Sequence, residues 1–212
     1  AAEQSLDLAR QGDSTAMLLG ALCLVLSTLD PDAPDHRGRR AELLAELEQL
    51  TPDVEEESVK VVVWCQLGIA ALGAKDLVAA RRWYVLGRDA AAKDVINYNL
   101  GSLHFNIAEV DELEGDIDAA AAGYALAAQI FRQVGAQQVE AFTCTHLSGL
   151  LLGAARAQEA LEVASDGVLA ARRARSEGAL VAALEALAAA SEAMGDAPRA
   201  AAAAAEAAQL AA

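Results

Sequence analysis

Three histidines, His36, His104 and His146, and three cysteines, Cys23, Cys65 and Cys144, are all the imidazoles and thiols in this chain of 212 residues. Metal centres and nucleophile–base pairs need such groups at ligand or hydrogen-bond spacing. Cys144 and His146 are two residues apart, so on a helix they point in different directions and do not make a ligand pair. The thiols are odd in number and widely spaced, which is no disulfide framework. Buried thiols in a reducing cytosol fit better, so a cytoplasmic setting is expected. "VEEE" at Val54 to Glu57 reads as a carboxylate cluster or as acids in a first helical turn, where the dipole favours them; the second reading is preferred. "RRAR" at Arg172 to Arg175 is the only basic run and reads as a helix C-terminus, with a partner site as the alternative. A Gly-rich phosphate loop and a G-x-S-x-G elbow are both missing. No catalytic residue, metal ligand or cofactor is therefore assigned, and the chain is not expected to be an enzyme.

The aromatic residues carry more information. All eight lie between Trp64 and Phe142. Trp64, Tyr84 and Tyr124 fall in packing positions of the pattern described below, whereas Tyr98, Phe105 and Phe142 do not. Such a stripe is either core or a binding groove.

The elements that hold these residues follow from composition and period. Ala, Leu, Glu, Gln and Arg dominate and β-branched runs are nearly missing, which predicts an all-α protein. The net charge of −15 disfavours nucleic acid and anionic lipid and favours basic partners. The apolar run Thr15–Leu29 is too short to span a bilayer and is expected to be a buried helix.

Gly115-Asp116 returns as Gly195-Asp196, 80 residues on, with Ala155-Arg156 midway and Lys75-Asp76 40 residues before. The same spacing of 40 aligns Ala80, Ala120, Ala160 and Ala200; Tyr84, Tyr124, Ala164 and Ala204; and Gly87, Ala127, Gly167 and Ala207. Upstream of each turn it aligns Leu67, Ile107, Leu147 and Leu187, followed by Gly68, Ala108, Ser148 and Ala188. A fixed period of this size marks a stacked repeat. Each unit reads as two helices joined by a short turn, with the small residues allowing close approach. A degenerate first unit precedes them, with helices at about Ser14–Leu29 and His36–Leu50 and "DPDAPD" as the break. Thr51 is expected to N-cap the next helix, with Pro52 at its first position. Boundaries near residues 52, 93, 135 and 176 follow. The whole chain, 1–212, is expected to be one domain with units at about 14–50, 53–92, 94–134, 137–174 and 177–211.

Trp64-Leu67-Gly68, Asp76, Ala80 and Tyr84, and again Gly115-Asp116, Ala120, Tyr124 and Ala127, resemble the tetratricopeptide repeat. The likeness covers residues 55 to 212 clearly and 14 to 50 weakly. It departs from the family in its period, 40 rather than 34, and in lacking the Pro that often ends a unit. Longer units of this kind look like those in the sensor arms of bacterial signalling ATPases and transcription activators, such as the maltose-operon activator. The resemblance implies a right-handed superhelical solenoid of about five antiparallel helix pairs. It implies a concave surface lined by the first helix of each unit: Ser102, Phe105, Glu109 and Glu112 in one, Phe142, Thr145, Gly149 and Leu152 in the next, and Tyr98 and Gln138 one turn earlier. Glu185 and Glu192 would extend that face, and no Lys or Arg lies on it.

The expected function is a scaffold or adaptor that holds a protein or peptide segment in the groove. The alternative is the ligand- or protein-sensing arm of a bacterial transcriptional regulator or signalling ATPase. A basic segment with apolar anchors suits the acids and aromatics; nucleic acid and membrane are not expected partners. Residues Ala200 to Ala212 are nearly all alanine, so the last helix is expected to be covered, by another domain or by a second copy.

Overall fold

The structure, a computed structural model, describes residues 1–30, 33–91 and 97–211. Among these the regular elements are all helical: α1 (Ala2–Arg10), α2 (Thr15–Thr28), α3 (Arg37–Leu50), α4 (Glu57–Gly73), α5 (Leu77–Ala91), α6 (Tyr98–Glu114), α7 (Ile117–Gln133), α8 (Gln137–Gly153), α9 (Ala157–Ala174), α10 (Glu177–Ala193) and α11 (Ala197–Leu210). The all-α class holds. No helix among the described residues is long and apolar enough to cross a membrane. Contacts divide the chain into two compact units, residues 1–95 and 96–212. Part of the "DPDAPD" break and the boundary near residue 93 lie outside the described residues.

In the first unit, Leu6 of α1 joins Leu19, Leu22 and Leu26 of α2, Leu43 and Leu47 of α3, and Val63 and Leu67 of α4 in one core. The sequence reading had no place for α1. Arg40 donates to the carbonyls of Leu26 and Leu29, satisfying the acceptors that the end of α2 leaves open. The expected helix start at Thr51 is corrected. Thr51–Asp53 is a single 3-10 turn and α4 begins at Glu57, with Glu56 as its N-cap. Thr51 is buried and turns its hydroxyl back to the Leu47 carbonyl, so it closes α3 instead of opening α4. Glu57 alone of the acid run falls in the first turn of α4.

Six of the turns obey one geometry. Lys75, Gly115, Ala155 and Gly195 all have positive φ, as do Gly135 and Arg175. At each, the next residue's N–H reaches back to a carbonyl five residues earlier: Asp76 to Ala71, Asp116 to Asp111, Ala136 to Phe131, Arg156 to Leu151, Ser176 to Ala171 and Asp196 to Ser191. This six-to-one closure ends a helix on a left-handed residue. The following residue starts the next helix, and Asp76, Asp116, Ser176 and Asp196 cap it through their side chains. In the second unit the backbone event therefore recurs every 20 residues, from 115 to 195, twice as often as the side-chain columns.

The small columns do bring helices close. A Cβ on Gly68 would run into the Tyr84 ring, and one on Gly123 would come within 2.8 Å of the Ala108 Cβ. Ala80, Ala120 and Ala160 are fully buried. Ser148 keeps the small size and donates to the Ala160 carbonyl at 3.0 Å. The aromatic column ends early: Tyr84, Tyr124 and Ala164 are buried but Ala204 is exposed.

The second helices of the second unit share a charge ladder. Arg132 pairs with Asp166 and, 40 residues on, Arg172 pairs with Glu206. Both pairs are half exposed, so each adds only about 0–1 kcal/mol. Glu140 is different: fully buried, it accepts from Arg132 Nε at 2.6 Å and from Arg173 Nη2 at 3.0 Å. Within the "RRAR" run, Arg172 and Arg173 are half exposed and paired with Glu206 and Glu140, and Arg175 is exposed at the left-handed C-cap of α9.

Two outcomes are expected. Ala155→Gly relieves a left-handed alanine and should stabilise by about 0.5–1 kcal/mol, while Gly115→Ala should destabilise by about 1 kcal/mol; opposite shifts in Tm check this. Ala120→Leu overpacks a filled position and should cost about 1–3 kcal/mol, whereas Ala122→Leu, on the exposed side, should cost little. Equal melting temperatures for the Ala120 and Ala122 variants would contradict the packing assigned to that column.

Candidate functional site

Phe105, Glu109 and Glu112 lie on one stripe of α6 at i, i+4 and i+7, and Phe142 and His146 lie at i and i+4 on α8. The two stripes meet through their side chains. The Phe105 ring stands 5.7 Å from Phe142 and 5.7 Å from His146, and 4.9 Å from Tyr124 beneath it on α7. Tyr124 and His146 meet edge to face at 4.8 Å. Glu112 ties the group together: its Oε2 accepts from the Tyr124 hydroxyl at 2.9 Å and from His146 Nε2 at 3.0 Å.

This group is graded from core to surface. Tyr124 is fully buried, Phe105 and His146 are half-buried, and Phe142 is 58% exposed. The stripe is thus neither wholly core nor wholly groove. Burial and the Glu112 carboxylate push the Tyr124 phenol up, so it stays a neutral donor. Partial burial also raises the Glu109 carboxyl above its ordinary value; His146 opposes this and Glu112 adds to it.

The structure distributes the remaining sequence-derived residues differently. Tyr98 stacks against Phe131 of α7 at 5.4 Å rather than joining Phe105. Ser102 donates its hydroxyl to the Tyr98 carbonyl. Gln138 is exposed in the first turn of α8, and Thr145 is half-buried beside His146. Leu152 packs against the core that contains Leu147 and Leu151. Glu185 and Glu192 line a separate hollow of about 360 Å³ with Ala188, Ala204 and Ala208 at the α10–α11 edge. His146 and Tyr124 were missed as partners of the acids. The signal was the spacing of 34 between Glu112 and His146, which puts a first helix against the next first helix. A larger hollow, about 630 Å³, opens at the turns and is lined by Glu114, Asp116, Asp118 and Arg156. Arg156 spans it to Asp118 and Glu159, so it is a solvated notch between turns with its charges already paired.

Cys144 is buried under the same face and its thiol is pushed up to about 12, chiefly by burial. Cys23, in the other unit, is pushed up to about 12 for the same reason. Both are protonated packing groups at neutral pH.

No protein-family model and no curated protein matches the sequence. Solved structures do. BtubC (BKLC) from P. vanneervenii superposes with a TM-score of 0.85 at 16% identity over 99% of this chain and 87% of that one. A Podosopora anserina protein of kinesin light chain type, with nearly identical TPR-like repeats, gives 0.72 at 15% identity over 94% and 97%. A Rap protein complexed with competence and sporulation factor gives 0.63 at 16% identity, covering 99% of this chain and 60% of that chain. The fold is TPR-like. At these identities the likeness concerns the path of the backbone, and the side-chain chemistry of the α6–α8 face is this chain's own.

That chemistry yields a stability signature. Because the folded state raises the Glu109 pKa, it binds the proton more tightly than the unfolded chain does. Stability from this group is full below the ordinary carboxylate range and falls as pH rises through the raised value. Glu109→Gln is therefore expected to melt no lower than the parent at neutral pH, with its advantage disappearing in acid. Thermal melts across that range measure it, and a lower Tm at neutral pH would show that the ionised form is stabilised within the fold.

Proposed function

We propose that the protein is an interaction module whose first-helix face, centred on α6 and α8, holds a basic, partly apolar segment of a partner protein. The observation that carries this is a segregation of charge. Helices α6, α8 and α10 contain no Lys or Arg, while every arginine in the described part of the second unit sits on α7, α9, α11 or a turn. Glu109 and Glu112 flank the exposed Phe142 and the half-buried Phe105, which supports attraction of a cation next to a place for apolar side chains. Tyr98, Ser102, Gln138, Thr145 and Leu152 form the outer part of the proposed surface. The role is binding rather than catalysis, in the cytoplasm.

A sensing role is the second reading. The Rap protein in the comparison was solved with a bound factor, which supports the view that this backbone suits peptide or protein capture in signalling. A full-length gene with an ATPase or helix-turn-helix domain would favour it. Self-association is proposed for the α10–α11 edge. Ala204 and Ala208 are exposed there, while their equivalents 40 residues earlier, Ala164 and Val168, are buried.

The test is affinity capture of partners from the source organism, followed by titration of each purified partner. Raising the salt concentration should weaken binding, because the charges are partly exposed. Glu109→Lys with Glu112→Lys should weaken it by about tenfold or more at low salt without changing helix content. A net acidic partner, or a Kd indifferent to salt and to the charge reversal, refutes this face as the working surface.

A further inference from the structure

Resting on that reading, we infer that Phe105, Phe142, His146, Glu109 and Glu112 form a subsite for one arginine side chain of the bound segment. Three features converge. The first is the aromatic wall. Phe105 and Phe142 lie 5.7 Å apart with their planes at 37°, and His146 stands within 5.7 Å of Phe105 and 6.4 Å of Phe142. Ring faces attract cations, and a planar guanidinium stacks on them better than an ammonium does.

The second is an unspent carboxylate beside the wall. Glu112 is already engaged by Tyr124 and His146 through one oxygen, which fixes its orientation. Glu109, one turn back, receives no hydrogen bond from any described residue and sits half-buried next to Glu112. Its raised pKa marks a charge that the fold itself leaves poorly compensated. An arriving guanidinium supplies that compensation, with two N–H groups for the carboxylate and a flat face for the rings.

The third is room. Gly149 follows His146 by one turn on α8, and a Cβ placed there would meet nothing within 4 Å. A glycine costs about 1 kcal/mol in a helix interior relative to alanine. The position is exposed, and a segment passing over α8 there would meet no side chain from residue 149. Four arginines of this unit are tied down elsewhere: Arg132 and Arg173 by Glu140, Arg156 by Asp118 and Glu159, and Arg172 by Glu206. The subsite is not already filled from within.

The experiment is selection of a random dodecapeptide display library on the 212-residue chain, followed by Kd measurement for the enriched synthetic peptides. Enriched peptides are expected to share an arginine next to apolar residues. Its replacement by citrulline, which keeps shape and loses charge, should weaken binding by about tenfold on the parent protein. The same replacement should have little further effect on Glu109→Gln with Glu112→Gln. Phe142→Ala, at an exposed position, should weaken arginine peptides while leaving the Tm in place. Enriched peptides that bind in competition at this face yet lack arginine, or that ignore citrulline and the glutamine pair, would overturn the subsite and leave the groove reading standing. A library with no enriched peptide on the parent protein would overturn the groove reading, and the subsite with it.

Discussion

The constraint on which the rest depends is the close approach of two helix backbones within each hairpin. It is set where one helix has no side chain to spare: Gly68 under Tyr84, Ala108 against Gly123, Ser148 against Ala160. Gly68 makes room for the Tyr84 ring, Ala108 lies directly against Gly123, and Ser148 is small enough to reach the Ala160 carbonyl, so each contact fills space that a larger side chain would overpack. Once two helices are this near, the turn between them has almost no freedom. In the hairpins α4–α5, α6–α7, α8–α9 and α10–α11 a left-handed residue and a six-to-one hydrogen bond close it, even where the residue is Lys75 or Ala155 and the conformation is strained. Packing outweighs that local cost.

The candidate site follows from how charge is divided between the helices. Because the second helices carry the arginine ladder, the first helices α6, α8 and α10 are left with a face that holds no Lys or Arg. Tyr124 spans both worlds: it fills the core at an inter-helix column, and its hydroxyl emerges to hold Glu112. The carboxylate that binds a partner in the proposed reading is thus positioned by a core residue. Glu140 provides the contrast. It is also a glutamate and lies deeper, but two arginines from α7 and α9 engage it, so it serves the fold and offers nothing outward.

The turns show why two periods coexist. The side-chain columns repeat every 40 residues because first and second helices bury different faces. The backbone repeats every 20 in the second unit because every connection there, in either direction, faces the same closure problem. Gly135 and Arg175 carry the same positive φ as the Gly-Asp turns, yet neither is followed by Asp, so the residues alone do not announce the likeness.

Residue spacing alone reveals whatever depends on periodic size. Ala80, Ala120 and Ala160, Tyr84 and Tyr124, and the turn pairs from 75–76 to 195–196 all stand where spacing put them, because small, large and left-handed-tolerant positions are chemically distinct. The all-α class followed from composition for the same reason. The sequence failed at Thr51, where a good N-cap residue closes α3 through its hydroxyl instead of opening α4, and at α1, which is short and outside the repeat. Which polar groups meet is settled by packing between elements distant in the chain. Phe105, Phe142 and the two glutamates were visible as a stripe, but the joining of Glu112 to His146 and Tyr124, the loss of Tyr98 to Phe131 and the burial of Glu140 depend on how far apart neighbouring helices stand. That distance is fixed by packing between elements 20 to 40 residues apart, and no local pattern encodes it.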